Sequence, residues 1–244
     1  MQSSATGRRR VGIVAALERE VTLLVSGWPI RVAEHRGREF KFFESERAVV
    51  ICAGIGRLAA SRGAQALVDE YKLMWLMSCG LCGGLNDTLA VGEVLEIARV
   101  IDVTAAKSYP TAAGTVTLLT VDRVLGVKEK LRLAEKYSAQ AVDMEAAAVA
   151  EVAAASRLPF MAVKAISDQL DFPMPPMDRF INADGTFAAA RFAMYAAVRP
   201  VQWHMLLRLA LNSATAAENL CQHLRQLIEG QESTPAAIES KRTV

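Results

Sequence analysis

The sequence predicts an α/β fold with three layers, α/β/α, in which helices cover both faces of a central mixed, mostly parallel sheet. Short apolar segments alternate with helical segments along most of the chain, which is the pattern of such domains. Residues 74–79 contain no charged side chain, as in a strand that is buried on both faces of a sheet. Acidic or glycine-rich residues follow several of the apolar segments, and ligands of such sheets bind at the carboxyl ends of the strands.

Each predicted strand is a run of apolar, often β-branched residues between turns or charged segments. These runs lie at 11–16, 40–44, 48–52, 74–79, 92–98, 115–121 and 160–166. Each predicted helix instead carries apolar or alanine residues at the spacing of one helix face. Such spacing occurs at 18–26, 57–71, 122–136 and 146–155, and at 200–228 as one long helix or two.

Length and composition point to one globular domain. The chain has 244 residues, of which 52% are hydrophobic, and we assign the domain to residues 11–229. Residues 1–10 are expected to be a disordered leader and residues 230–244 a flexible tail. The 28 basic and 26 acidic residues leave a net charge of +2, which argues against binding to nucleic acid. No stretch reaches about 18 uncharged apolar residues, so we expect no transmembrane helix and a cytoplasmic location.

The cysteines predict neither a metal site nor disulfides. Cys79 and Cys82 have the spacing of a zinc knuckle, but the chain has only 4 cysteines and no second such pair. Free cysteine in apolar sequence behaves as a small buried hydrophobic residue. We therefore expect no metal and no organic cofactor.

The acidic residues around Met144 and at the end of the last buried strand indicate a site for a nucleoside. Asp143 and Glu145 flank Met144, and this alternation suits a sugar, which has hydroxyls on its edge and carbon on its face. Ser167 and Asp168 follow the strand, where a ligand is expected. Alternatively, Asp143 and Glu145 are acids that stabilise the start of the helix that follows them.

Two further segments have both a functional and a structural interpretation. Residues 80–84 predict a glycine turn, which would let backbone N–H groups approach an anion or a ring, or would simply be a tight turn. The pattern lacks the lysine of a P-loop and the spaced third glycine of a dinucleotide site. Glu20 lies either in the solvated first turn of a helix or at the carboxyl end of the first strand, directed into the site.

Together these segments resemble the nucleoside phosphorylase superfamily, in particular its 5′-methylthioadenosine/S-adenosylhomocysteine nucleosidase branch. The resemblance spans most of the chain and rests on the sequences GIVAALEREV (12–21), GIGRLAA (54–60), CGGL (82–85), VGEV (91–94), VDMEA (142–146) and AISD (165–168). Residues 171–180, 198–200 and 209–214 resemble the hopanoid-associated phosphorylase subgroup. That subgroup is linked to the removal of adenine from adenosylhopane during assembly of the hopanoid side chain.

The resemblance implies a role for each acidic position. Asp168 would protonate the leaving purine, and Ser167 would help to position it. Glu145 would accept hydrogen bonds from the ribose hydroxyls and is expected to be ionised, while Met144 would pack against the ribose. Asp143 takes the first acidic position of the motif. Three more residues of the matched segments are expected to contact the substrate, namely Ala16, Cys82 and Gly83.

The nucleophile is less well defined by the resemblance. Glu20 occupies the position that orients the attacking water in the hydrolytic branch, where phosphorylases have a phosphate-binding arginine. The family's serine that contacts the nucleophile is replaced by Leu81. Arg57 is the remaining candidate for a contact to an anion. We therefore expect water as the nucleophile or phosphate as a co-substrate.

The leading hypothesis is an enzyme that releases adenine from a 5′-substituted adenosine, with adenosylhopane as one substrate. The alternatives are a methylthioadenosine/S-adenosylhomocysteine nucleosidase, a phosphorylase of another nucleoside, and a non-catalytic nucleoside-binding module. The resemblance also implies a homodimer. Apolar residues alternate with arginines between 187 and 209, which predicts either a core-packing helix or an amphipathic surface that takes a lipid tail or makes a peripheral membrane contact.

Overall fold

A ten-stranded mixed sheet forms the centre of the computed structural model, which describes residues 9–230. The strands are β1 (Arg10–Ala15), β2 (Ile30–His35), β3 (Arg38–Glu44), β4 (Ala48–Cys52), β5 (Leu73–Gly84), β6 (Val94–Asp102), β7 (Lys107–Pro110), β8 (Val116–Thr120), β9 (Ala141–Asp143) and β10 (Phe160–Asp168). The helices are α1 (Glu18–Val25), α2 (Arg57–Glu70), α3 (Val127–Tyr137), α4 (Ala146–Ala155), α5 (Ala189–Ala197) and α6 (Trp203–Glu229). Short 3-10 helices lie at Met177–Phe180 and Pro200–Gln202.

The strand order is β10-β6-β8-β9-β5-β1-β4-β3-β2, with β7 on β6. Because β10 also pairs with β5, the strands β5, β10, β6, β8 and β9 close into a ring. The mixed sheet is confirmed, but parallel pairings do not predominate among the described strands, where five pairings are parallel and five antiparallel. The β2–β3–β4 meander and the β6–β7 hairpin supply most of the antiparallel contacts, since short connections join antiparallel neighbours.

Helices cover the sheet on both sides, as the three-layer prediction requires. On one side α2 and α4 pack on a core that includes Leu67, Leu76 and Val149. On the other side α1 and α6 pack together over a second core that includes Val21, Met77 and Leu224. The apolar strands therefore bury both of their faces, which is why they read as continuous apolar runs.

Several element boundaries differ from the sequence prediction. Residues 80–84 are not a turn, because β5 continues through Gly84 and pairs there with both β9 and β10. The long C-terminal segment is one helix, α6, after a 3-10 turn. Helix α3 begins at Val127 rather than at residue 122, directly after the extended Gly126.

The chain ends are described only in part. Arg10, which the prediction places in the leader, is the first residue of β1 and is ion-paired with Glu44 at 3.2 Å. The remainder of the predicted leader, residues 1–8, and almost all of the predicted tail, residues 231–244, lie outside the described residues. Within residues 9–230 no helix has the length and apolar character needed to span a bilayer.

Candidate active site

A cavity of about 630 Å³ opens where β1, β5, β9 and β10 end. One end of it is polar and contains Glu20, Asp143, Glu145, Ser167, Asp168 and Lys130. The other end is apolar and is formed by the segment after β10 and by α5 and α6. Ligand sites of α/β sheets lie at such strand ends, so this cavity is the candidate active site.

Asp168 closes the polar end from β10. It is the last residue of the strand, and its carboxylate is buried against the ammonium of Lys130, with Nζ 2.5 Å from Oδ2. The hydroxyl of Ser167 donates to Oδ1 at 2.8 Å and so orients the carboxyl. Lys130 also donates to the carbonyl of Gln169 at 2.9 Å. The carboxyl group is therefore held from both of its oxygens, with a protonated amine as the immediate neighbour.

Glycines of β5 make room for these charged groups. A Cβ atom on Gly83 would lie 3.0 Å from Oδ2 of Asp168 and 3.1 Å from Nζ of Lys130. A Cβ atom on Gly80, where φ is +146°, would lie 2.9 Å from Oε2 of Glu20. The function of this glycine-rich segment is thus the close approach of side chains to a strand, and no turn is involved.

The carboxylate of Asp143 is bound by groups of the protein itself. Its Oδ2 lies 2.9 Å from Nζ of Lys164 and accepts from the N–H of Ala146 at 2.9 Å, while its Oδ1 accepts from the hydroxyl of Thr120 at 2.7 Å. The Asp143 side chain is fully buried, holds the start of α4 and balances Lys164, as in the helix-start interpretation. Asp143 also belongs to the cavity lining, and its expected contact to the substrate stays a prediction.

Lys164 is a buried cation in the centre of β10. Burial alone would lower its pKa, but the carboxylates of Asp143 and Glu145 outweigh this and raise the pKa. The side chain is 1% exposed, so its ammonium group is kept charged under the floor of the cavity. It faces Glu20 and Glu145 and electrostatically links the two acids that line the cavity.

Glu145 lies between β9 and α4 and points toward the α2 turn. Its Oε1 accepts a hydrogen bond from the N–H of Gly56 at 2.8 Å. Burial, followed by repulsion from Asp143, raises the pKa of Glu145 to about 7. In the protein without a ligand, the charged and neutral forms are therefore both populated near pH 7, and the expected ionised form stays a prediction for the carboxyl that accepts from ribose.

Glu20 extends from the first turn of α1 into the cavity. It is buried and accepts from the N–H of Leu17 at 3.4 Å. Burial raises its pKa, while Lys164 opposes that shift. Of the two sequence interpretations, the structure shows the one in which the side chain is directed into the site.

Of the other residues expected to contact a ligand, all but Arg57 line the cavity. Ala16, Met144, Cys82 and Gly83 all line it, as does Leu81. Burial raises the pKa of the Cys82 thiol, so it remains a neutral group of the wall.

Arg57 is the expected residue that the structure does not bring to the cavity lining. Its guanidinium is ion-paired with the buried Asp102 and lies 3.9 Å from Glu151. These two carboxylates therefore balance the charge of Arg57, and its expected contact to an anion stays a prediction.

The apolar end of the cavity is formed by side chains with large hydrocarbon surfaces. They come from the segment after β10, from α5 and from the first half of α6: Met174, Met177, Ile181, Phe187, Phe192, Leu206, Leu209 and Ala210. Phe187 and Phe192 pack with their ring centroids 5.5 Å apart. This end offers burial of hydrocarbon and is far less polar than the strand ends.

Gly185 contacts the turn that precedes α2. The N–H of Ile55, in the turn before α2, donates to the carbonyl of Gly185 at 2.7 Å. A Cβ atom on Gly185 would lie 2.6 Å from the carbonyl oxygen of Ile55 and 2.6 Å from the Cβ of Ala59. The turn that donates to Glu145 is therefore pinned to the segment that leads into α5.

Two lysines at the site, Lys130 and Lys164, were not predicted from the sequence. Lys164 had a signal, because a charged residue in the middle of an apolar strand is rarely buried without a partner. Lys130 had none, since α3 carries several lysines and only the fold shows which one is buried. Within residues 9–230 no group of three or more histidine, cysteine or acidic side chains is arranged to hold a metal ion.

Both the sequence and the fold are similar to those of known proteins. The family model of the phosphorylase superfamily matches residues 10–117 and 103–198. A 5′-methylthioadenosine/S-adenosylhomocysteine nucleosidase of Listeria monocytogenes is 29% identical over 200 residues, which is 65% of this chain and 85% of that protein. A nucleosidase of the same name from Shewanella denitrificans is 26% identical over 74% of this chain and 95% of its own length.

Solved structures show the same fold at lower identity. The futalosine hydrolase of Helicobacter pylori superimposes with a TM-score of 0.68 at 16% identity and covers 91% of this chain and 98% of its own. The nucleosidase of Neisseria meningitidis, in complex with methylthio-immucillin-A, gives a TM-score of 0.68 at 19% identity over 91% of this chain and all of its own. With the family match covering most of the chain, this protein is an enzyme of the phosphorylase superfamily.

Proposed function

We propose that this enzyme cleaves the N-glycosidic bond of a 5′-substituted adenosine and releases adenine. The observation that carries the proposal is the convergence of Asp168, Glu145 and Glu20 on one cavity, with an apolar end beyond them. The relatives named above as nucleosidases of methylthioadenosine and S-adenosylhomocysteine support the same substrate class.

Asp168 is the general acid in this proposal. The bond from the ribose carbon to the purine breaks with its electron pair moving to the base, and Asp168 delivers a proton to a ring nitrogen of that base. The ammonium of Lys130, 2.5 Å from Oδ2, orients the carboxyl, which regains its proton from solvent after adenine leaves. Ser167 keeps the carboxyl oriented through its contact to Oδ1.

The sugar is held by Glu145 and Met144. Glu145 accepts hydrogen bonds from the ribose hydroxyls, which favours its ionised form, and Met144 packs on the carbon face of the ring. Ligand binding should therefore lower the pKa of Glu145 from its value of about 7 in the free protein.

Water is the favoured nucleophile. Glu20 accepts its proton as the oxygen bonds to the ribose carbon, while Lys164 balances the charge of the ionised Glu145. Arg57, which the resemblance left as a candidate contact to an anion, does not line the cavity and is ion-paired with Asp102. The product distinguishes the two co-substrates: hydrolysis yields free ribose derivative without added phosphate, whereas phosphorolysis yields a sugar 1-phosphate only when phosphate is present.

The 5′ substituent is large and apolar in this proposal, as in adenosylhopane. Each methylene that is buried contributes about 0.8 kcal/mol, so an adenosine with a long hydrocarbon tail should outcompete methylthioadenosine. Direct competition for kcat/KM tests this. A higher kcat/KM for methylthioadenosine would reject the hopanoid-like substrate and support an ordinary nucleosidase, and the absence of adenine release from either would support a binding module.

The proposal requires no metal or organic cofactor, because acid, base and sugar contacts all come from side chains of the chain itself. Activity that survives dialysis against a chelator would agree with this, and activity restored only by a metal would contradict it. We further propose a cytoplasmic homodimer, supported by exposed apolar residues such as Leu58 on α2. Light scattering that gave the 26.4 kDa mass of one chain at micromolar concentration would reject the dimer.

A further inference from the structure

The segment from 186 to 217, hereafter the C-terminal arm, has an unusual outer surface. It comprises α5, the 3-10 turn and the first half of α6, and the buried residues of α6 begin only at Ala216. Six of its large apolar side chains are between 50% (Trp203) and 94% (Val201) exposed, the others being Met194, Val198, Leu207 and Leu211. Of the twelve large apolar side chains that are exposed within residues 9–230, six are therefore in this one arm.

These six side chains lie on consecutive parts of the arm. Met194, Val198 and Val201 lie on the end of α5 and in the turn that follows. Trp203 and Leu207 continue along α6 at a spacing of four residues, as does Leu211, which places the three on one helix face. None of the six lines the cavity, which the arm lines through neighbouring positions such as Leu206 and Leu209.

The charge of the arm has one sign. It contains Arg191, Arg199 and Arg208 and no aspartate or glutamate from residue 186 to residue 217. None of the three arginines has a carboxylate within ion-pair distance in the described part of the chain. Arg199 and Arg208 instead lie over the rings of Tyr195 and Phe172, which leaves their charge uncompensated.

We propose that the outer face of the C-terminal arm docks on an anionic lipid bilayer. Apolar side chains with flanking arginines and a tryptophan at the boundary are the features of a helix that lies in the membrane interface. A second copy of the chain fits less well, because a twofold interface would bring the same arginines together with no acid to balance them. The inference does not depend on the substrate, since the surface is distinct from the cavity lining.

Docking in this way gives the arm two faces with different partners. The outer face contacts lipid, while the inner face lines the apolar end of the cavity. If the proposed function also holds, a hydrocarbon tail reaches the cavity from the bilayer without crossing water.

Vesicle flotation of the full chain without nucleoside tests the proposal. We expect binding to vesicles of equal parts phosphatidylcholine and phosphatidylglycerol, and much weaker binding to phosphatidylcholine alone. The double variant Val201→Asp with Leu207→Glu should lose binding. Replacement of Arg191, Arg199 and Arg208 by glutamine should weaken binding by roughly fivefold for each arginine. The matched control is Val32→Glu, an exposed apolar residue on β2, which should bind as the unmodified protein does.

Folding and turnover are checked separately. Val201 and Leu207 do not line the cavity, so the double variant should keep its melting temperature and its adenine release from methylthioadenosine. Equal binding of the unmodified protein to both kinds of vesicle, or unchanged binding of the arm variants, would overturn the proposal. A change of molecular mass in the double variant, with vesicle binding retained, would assign the face to a dimer interface instead.

Discussion

The two ends of the cavity are built in different ways. At the polar end several charged side chains are held by more than one partner: Asp143 contacts Lys164, Thr120 and the backbone of α4. At the apolar end the lining comes from α5 and the first half of α6, whose outer surface is exposed. The polar end therefore lies at the ring of strands, whereas the apolar end is formed by helices outside that ring.

Under the proposed function, the polar end carries out the reaction and the apolar end determines which 5′ substituents bind. Groups that transfer protons need fixed geometry, and strand ends inside a core provide it. A wall of hydrocarbon on attached helices can change in size without moving those groups. Changes at the polar end should therefore alter turnover or stability, and changes at the apolar end should alter preference among 5′ substituents.

Asp168→Asn should give the largest effect. The amide cannot deliver a proton, and a general acid typically contributes about 100- to 10,000-fold to the rate. The change also leaves Lys130 buried without its counter-charge, which costs about 3–5 kcal/mol in buried pairs. Adding Lys130→Met should restore the melting temperature but not the turnover. Recovery of activity in the double variant would mean that Asp168 acts only through stability.

Glu145→Gln should weaken nucleosides by far more than it weakens free adenine. Only the nucleoside carries the hydroxyls, and hydrogen bonds to a charged group are worth about 1.5–3 kcal/mol. Calorimetric titration with adenosine analogues and with adenine measures the ratio. The matched variant Asp143→Asn should lower the melting temperature without a selective loss for nucleosides, and an equal loss for both ligands in Glu145→Gln would contradict the ribose contact.

Ala210→Trp should fill part of the apolar end. The kcat/KM for a long-tailed adenosine should fall by about fourfold for each methylene that no longer fits, while that for methylthioadenosine should change little. Leu211→Trp is the matched control, because Leu211 is next to Ala210 in sequence but is exposed and does not line the cavity. If both variants change the preference equally, the tail does not occupy this end.

A smaller effect should appear in the pH dependence of stability. Since folding raises the pKa of Glu145 from 4.5 to about 7, the folded state is favoured by protonation. This contribution is fully present below pH 4.5 and is lost as the pH rises through about 7. Thermal melts of the unmodified protein and Glu145→Gln should therefore diverge across this window, with the variant the relatively more stable at high pH. Parallel curves would show that Glu145 ionises normally.

The sequence revealed most of the polar end. Residues with periodic or apolar surroundings, such as the helix Ala146–Ala155 and the strand that ends at Asp168, could be placed because local patterns determine them. The motif residues Glu20 and Glu145 line the cavity as expected.

Partners across the fold could not be read in this way. Whether Arg57 enters the site depends on Asp102, which is 45 residues away in sequence, and whether Lys130 pairs with Asp168 depends on how α3 packs. The extension of β5 through Gly84 was missed because glycines signal turns locally, while here pairing on both sides holds them in a strand.

The contact between Ile55 and Gly185 joins the two ends of the cavity thermodynamically. A 5′ group that displaces the chain near Gly185 also displaces the turn whose Gly56 N–H holds Glu145. Coupling between two binding events is reciprocal, so a tail that tightens the ribose contact is itself bound more tightly when ribose is present. Under the proposed function, tail and sugar are then coupled ligands, and the binding free energy of the whole nucleoside differs from the sum of those of its parts.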